Sequence, residues 1–503
     1  MQTMSLKRNI LSSYASQFYV TVIGIIMVPT YVKYMGAEAY GLVGFFAMLQ
    51  AWFQLLDVGL TPTMSRETSR YRGGATDALS LRRLLRALEG VFIVVALLGA
   101  CAIVAGADGI TSRWLKVQQL PQEEVRHAIM LMAFIIALRW ICSLYRGAIS
   151  GFERLVWLNG FNSVIATARF VFVIPLFILV GTGPKEFFAY QLVIAVVELV
   201  VLVAKTYRLL PKLDVKGPMP WEWQPLRGVL KFSLGIAFAG SVWVFVTQTD
   251  KLILSNLLLL SDYAYFTLAV LVAGGILVMS TPMSGALLPR MTRLNAEGNE
   301  PELIRVYRNA TQVAGLVAVP AALVLAFFPE QVLWAWTGDA VAASKAAPVL
   351  TLYAFGNGLL VLAAFPYYLQ FAKGDLKFHL IGNALFVAIF IPLLMWAVNA
   401  YGMIGAGYAW IAANLLPFFL WLPIVHGRFA KGLHARWLLV DVLPIALLPT
   451  ALAFGLQQLL EWPTSRVMVA LGLVMLGLTL CIVSAAGSSW VREAIAGKWR
   501  TSP

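Results

Sequence analysis

Charge is the scarcest commodity in this chain: only 12% of its 503 residues are Asp, Glu, Lys or Arg, against 60% hydrophobic residues. A soluble protein of this length carries roughly 25% charged residues, so the deficit excludes an ordinary water-exposed surface. Cysteine and histidine are scarce too. The three cysteines, Cys101, Cys142 and Cys481, lie far apart in apolar stretches, which excludes a disulfide framework and a cysteine metal site. The four histidines (His127, His379, His426, His434) fall near the ends of apolar runs and supply no metal cluster. There is no Gly-rich nucleotide loop and no Ser/His/Asp set, so no enzyme chemistry and no cofactor is expected.

What the chain has instead is apolar runs of membrane-crossing length. A hydrocarbon core of about 30 Å needs about 20 apolar residues per helix. Fourteen such spans are expected, at 9–34, 38–62, 86–106, 126–150, 155–181, 186–208, 228–258, 263–289, 306–329, 346–372, 377–398, 402–427, 437–460 and 466–489. The reading is an all-α polytopic membrane protein. Lys7 and Arg8 precede the first run with no small-residue cleavage site after it, so that run reads as a retained helix and not a signal peptide.

The net charge of +14 would point to nucleic acid in a soluble protein; here it reads as topology, and no nucleic-acid partner is expected. Alternate loops hold roughly 28 of the 38 basic residues, and the opposite loops about 8. Under the positive-inside rule this places both termini in the cytoplasm. The polar connector from Lys205 to Lys231, with Pro211, Pro218, Pro220 and Pro225, suggests a linker. The expected organisation is a six-helix bundle over 1–210, a cytoplasmic linker over 211–227, a second six-helix bundle over 228–430, and two additional helices with a cytoplasmic tail over 431–503. Ala39-Tyr40 and Ala264-Tyr265, then Thr61-Pro62 and Thr281-Pro282, recur in the same order and suggest parallel repeats; the last two helices have no counterpart and read as an appendage.

Ionisable residues inside a bilayer are functional candidates by default. Arg139, Ser143, Arg146 and Ser150 share one face of the fourth span, Asn162 and Arg169 one face of the fifth, and Gln50, Gln54 and Asp57 one face of the second. Glu198 stands alone in the sixth. Arg169 and Glu198 have two readings, a structural ion pair or ligand-facing groups; Asp57 has a capping reading beside a functional one. In the seventh span, Asp250 and Lys251 are about 100° apart around the helix and need not pair. These acids and Lys251 are candidates for ion coupling or structure. A cationic cavity with few acids suits a phosphate-bearing anion, with Arg139, Arg146 and Arg169 as its ligands.

Short motifs carry a resemblance. Ala39-Tyr40-Gly41-Leu42 with Leu55-Leu56-Asp57-Val58-Gly59-Leu60, Tyr145-Arg146-Gly147 with Gly151-Phe152-Glu153-Arg154, and Thr249-Asp250-Lys251-Leu252-Ile253-Leu254 are among them. So are Ala372-Lys373-Gly374-Asp375-Leu376-Lys377 and Gly402-Met403-Ile404-Gly405-Ala406-Gly407. Together they resemble the polysaccharide-export, Wzx-like branch of the MOP flippase superfamily. The resemblance implies a MATE-like, V-shaped pair of six-helix bundles with alternating access in the bacterial inner membrane. It implies an undecaprenyl-pyrophosphate-linked oligosaccharide as substrate, destined for O-antigen, capsule or exopolysaccharide. Membrane lipid, a polysaccharide polymerase and a chain-length regulator are the partners it suggests. On that reading Asn162, Gln50, Gln54 and aromatic residues such as Trp140 or Trp243 contact sugar. A peptidoglycan-precursor flippase is expected to carry several arginines in its first two spans, and these are missing here; a drug exporter often carries an acid in the first span, and Asn9 to Met35 has none. A membrane glycosyltransferase or polymerase needs a large outer loop, also absent from the sequence.

Overall fold

A computed structural model describes residues 6–211 and 221–493. Among these residues there are helices, turns and one isolated bridge, but no strand. Among the described residues thirteen helices are long and apolar enough to cross a bilayer, and the remaining expected span, 228–258, falls on the helix Gln224–Leu257. The protein is a multi-pass membrane protein. Most of the expected linker, residues 212–220, lies outside the described residues. The chain forms two compact units, Met1–Ala264 and Tyr265–Pro503.

The first unit contains α1 (Leu6–Met35), α2 (Ala37–Phe53), α3 (Leu60–Arg72), α4 (Ala78–Gly109), α5 (Gln122–Gly151), α6 (Leu155–Phe170), α7 (Val173–Leu179), α8 (Pro184–Leu209) and α9 (Gln224–Leu257). Helix α5 is its hub, packed by α3, α4 and α8 and buried along much of its length. The polar face of α1 is spent on α6: Ser16 Oγ donates to the Asn159 carbonyl at 2.9 Å, while Asn159 Nδ2 donates to Ser12 and Ser13 at 3.0 and 2.9 Å. In lipid, such interhelical bonds hold helices together where apolar surface gives no preference. Glu38 is buried and accepts from the backbone N–H groups of Gln118, Gln119 and Leu120, at 2.5, 2.8 and 2.9 Å. One carboxylate thereby satisfies three amides of a loop that has no helix to bond them.

The expected second span, 38–62, is interrupted. Helix α2 stops at Phe53, a 3₁₀ turn covers Gln54–Asp57, and Val58 and Gly59 take left-handed conformations (φ 46° and 71°) before α3 starts. Asp57 caps α3, accepting from the Thr61 N–H at 3.1 Å and from Thr61 Oγ1 at 2.7 Å. Helix α3 then runs along α5 over Gly147 and Gly151, four residues apart on one face. A Cβ at Gly147 would lie 2.6 Å from the Thr61 carbonyl oxygen. Gly147→Val is therefore expected to destabilise by about 1–3 kcal/mol through overpacking. Gly160→Ala, where a Cβ meets nothing within 4 Å, is the control expected to unfold like the parent in a detergent thermal melt.

The second unit contains most of α10 (Leu260–Ala296), then α11 (Glu300–Phe327), α12 (Pro329–Thr337), α13 (Ala340–Ala363), α14 (Phe365–Ala372), α15 (Lys377–Tyr401), α16 (Met403–Phe429), α17 (Leu433–Arg436), α18 (Leu443–Leu459) and α19 (Arg466–Gly487). The last two helices dock on α11. A π-helical turn, Trp437–Val442, presents Asp441, fully buried, to Arg308 (Nε 2.6 Å, Nη2 2.8 Å) and to Gln312 Nε2 (2.8 Å). Gln312 Oε1 in turn accepts from Ser488 Oγ at 2.7 Å and the Trp490 N–H at 3.0 Å, fastening the end of α19. Arg308 thus forms a bidentate pair with Asp441. His426 is buried between Tyr307 (2.7 Å) and His434 (3.0 Å).

Candidate functional site

The polar residues of the first unit converge where α2 breaks. A cavity of about 370 Å³ is lined by Gln50, Gln54, Asp57, Thr61, Arg139 and Ser143, with Phe53, Pro62, Ile136 and Trp140 completing the wall. Three elements supply it because the stripe Gln50, Gln54, Asp57 ends one helix, Thr61 begins the next, and Arg139 and Ser143 are one turn apart on α5. Thr61 Oγ1 lies 2.7 Å from Asp57 and 3.0 Å from Ser143, tying α3 to α5 at the cavity floor.

Arg139 is held by two amide oxygens, Gln50 Oε1 at 3.2 Å and Gln191 Oε1 at 2.8 Å, and its guanidinium lies 5.2 Å from the centre of the Phe46 ring. Its Nε is buried with no hydrogen-bond partner. No carboxylate among the described residues forms an ion pair with it. Gln191, itself buried, also donates Nε2 to the Arg169 carbonyl at 3.0 Å. The other two arginines are arranged differently. Glu198, 2% exposed at its side chain, receives Arg146 on one oxygen and Arg169 on the other; Arg146 also donates to Asn162 Oδ1. Arg146 and Arg169 keep 28% and 20% of their side chains exposed.

In the geometry Arg169 pairs with Glu198, and Asp57 bonds Thr61 in the first turn of α3. Arg146 pairs with the same Glu198. Asn162 serves Arg146. Asp250 and Lys251 do pair, at 3.2 Å, with Lys251 Nζ also donating to the Thr247 carbonyl at 2.6 Å. The side chain of Trp243 lies outside the described residues. Trp140 stacks on Phe92 at 4.2 Å and makes a T-shaped contact with Phe53 at 5.8 Å, which fix its ring at the cavity wall. Gln191 escaped the sequence reading; its signal is the seven-residue spacing to Glu198, which puts both on one face of α8.

Three guanidinium groups in this region answer to two carboxylates, Glu198 and Asp57, of which one is shared by two arginines and the other is engaged with Thr61. The arrangement leaves the region with an excess of positive charge. It contains no nucleophile–base pair, and no group of His, Cys, Asp or Glu that could hold a metal occurs among the described residues.

Comparison with known proteins agrees with this architecture. A Shigella flexneri protein named "Putative O-antigen transporter" is 19% identical over 376 residues, covering 75% of this chain and 87% of that protein. Among solved structures, the lipid II flippase MurJ in an inward closed conformation superposes with a TM-score of 0.71 at 14% identity, over 97% of this chain and all of that one. An inward-facing multidrug resistance MATE family transporter of the MOP superfamily gives 0.67 at 16% identity, over 82% of this chain and 96% of that one. These proteins are named as transporters and flippases and not as enzymes, and this chain shares the fold of the two solved structures. Residues 6–295, more than half of the chain, match the family described as polysaccharide biosynthesis protein, and the chain belongs to that family.

Proposed function

We propose that the protein is a flippase that moves undecaprenyl-pyrophosphate-linked oligosaccharide repeat units across the bacterial inner membrane, for a surface polysaccharide such as O-antigen, capsule or exopolysaccharide. The observation that carries the proposal is Arg139: a partly buried guanidinium on the wall of a polar cavity, held by two neutral amides and no carboxylate. A guanidinium without a counterion in low dielectric is a binding site for an anion, and its fork matches phosphate oxygens. The Gln50 and Gln54 amides beside it suit hydroxyl-rich groups. Arg146 and Arg169 extend the cationic surface, with Glu198 as their counterion. Asp57, Glu198 and the Asp250–Lys251 pair are the candidates for coupling to an ion.

The Lys/Arg distribution supports cytoplasmic termini. With that orientation, an anionic headgroup leaving a negative interior gains about 2.3 kcal/mol per charge per 100 mV. Two charges gain roughly 4–5 kcal/mol on the same scale, a driving force that requires no nucleotide. A MATE-like exporter of organic cations fits a cationic cavity poorly. A lipid-linked peptidoglycan precursor shares the pyrophosphate and is separated from this reading by mass. The test is lipid extraction from a deletion strain, with mass analysis of undecaprenyl-linked intermediates and an assay of surface polymer. Accumulated repeat units with loss of polymer support the proposal, and the mass names the sugar. Unchanged intermediates with intact polymer sink it.

A further inference from the structure

The second unit carries an apolar groove of about 200 Å³ between α15 and α16. Gly382, Phe386 and Ile389 form one wall, Ala413, Pro417 and Trp421 the other. Glycine makes the depth: a Cβ at Gly382 would lie 2.5 Å from Trp421 Nε1. The outer lip, Leu385, Leu416, Leu420 and Ile424, is exposed. The Trp421 indole is the one polar group among the lining side chains, so nothing in the groove matches a pyrophosphate.

Its chemistry changes at one end. Helices α15 and α16 are consecutive and antiparallel, so the start of α15 and the end of α16 share an end. There Phe378 packs against Trp421 (6.1 Å between ring centres) and Phe429 (5.9 Å), an aromatic collar that closes this end of the groove. Beyond the collar come Arg428, one helical turn past Ile424 on the same α16 face, then Lys431 and Arg436, all exposed and forming no ion pair among the described residues. The neighbouring acids are committed: Glu300 to Lys373 at 2.7 Å, and Asp375 to the N–H of Lys377 at 3.0 Å.

We propose that this groove and its cationic end form a binding site for an anionic phospholipid, one acyl chain lying in the groove and the phosphate headgroup against Arg428 and Lys431. An apolar slot ending in an aromatic collar and unpaired basic residues matches such a lipid in both parts, hydrocarbon and charge. The site is independent of the cavity at Arg139, which belongs to the other unit.

The test uses the full chain in detergent with phosphatidylglycerol bearing a photoreactive acyl chain, and a phosphatidylethanolamine analogue as the zwitterionic control. Crosslinks are expected to concentrate in peptides spanning 382–389 and 413–424. Arg428→Gln, an exposed change that leaves the fold intact, is expected to lower the phosphatidylglycerol yield by about fivefold, the effect of one basic residue near an anionic lipid. Arg428→Gln with Lys431→Gln is expected to lower it on the order of twentyfold, and neither variant should change the zwitterionic yield. Crosslinks spread evenly over lipid-facing helices, or equal yields for both headgroups, overturn the proposal. Undecaprenyl phosphate displacing the probe at lower concentration than phosphatidylglycerol also overturns it, and assigns the groove to the carrier chain instead.

Discussion

Arg139→Gln is expected to abolish export while leaving the protein folded and at its normal level in the membrane. The guanidinium contacts only neutral partners, Gln50 and Gln191, so its removal strands no buried carboxylate. Glutamine also keeps a donor for the two amides. What the substitution removes is the charge offered to the substrate. Truncating one side of a desolvated, hydrogen-bonded charge pair costs about 2–5 kcal/mol, which is a loss of about thirtyfold to several thousandfold in binding. Arg139→Lys keeps the charge but not the fork, and is expected to fall between the two. The measurement is the ratio of lipid-linked repeat units to surface polymer, normalised to protein in the membrane. Wild-type export by Arg139→Gln at wild-type protein level would remove Arg139 from the substrate path, and with it the main support for an anionic substrate.

Much of the fold is legible in the sequence because membrane insertion is governed by length and hydrophobicity, both local properties. The helices fall on the expected spans for that reason. The break after α2 is less visible, since Gln54 to Leu60 is apolar enough to pass as continuous helix; Asp57-Val58-Gly59 is the signal, a capping acid beside a glycine that tolerates the left-handed region. The candidate site divides along the same line. Helical spacing puts Arg139, Ser143 and Arg146 on one face of α5, and that is local. Which two of the three arginines share Glu198, and which is left to two glutamines, depends on packing between α5, α6 and α8, and helical spacing is silent on it. Asp441 makes the same point in the second unit. Read alone it is an acid near the start of the thirteenth span; in the structure it is the anchor that holds α11 to the final helices. The repeat comparison treats those helices as an appendage because they lack a counterpart, but lack of a counterpart carries no information about docking.

Glu198→Ala is expected to be the most damaging single change in the first unit, and to act on folding before it acts on transport. It would leave Arg146 and Arg169 facing each other with no counterion, close to a third cation at Arg139. Removing one partner of a buried ion pair costs about 3–5 kcal/mol, because the remaining charge stays desolvated. The expected result is a large drop in membrane-embedded protein and in the detergent melting temperature. Arg169→Met is expected to cost less, since Glu198 retains Arg146. Glu198→Leu combined with Arg169→Met is expected to recover part of the loss of Glu198→Ala, because a charge of each sign leaves the site together. If Glu198→Ala melts with the parent and accumulates normally, the carboxylate is not holding the arginines, and its burial would then point to a role in ion coupling. If it collapses as expected, export assays on that variant report folding alone. Arg139, whose partners are neutral, is then the position where a loss of transport can be read as a loss of substrate binding.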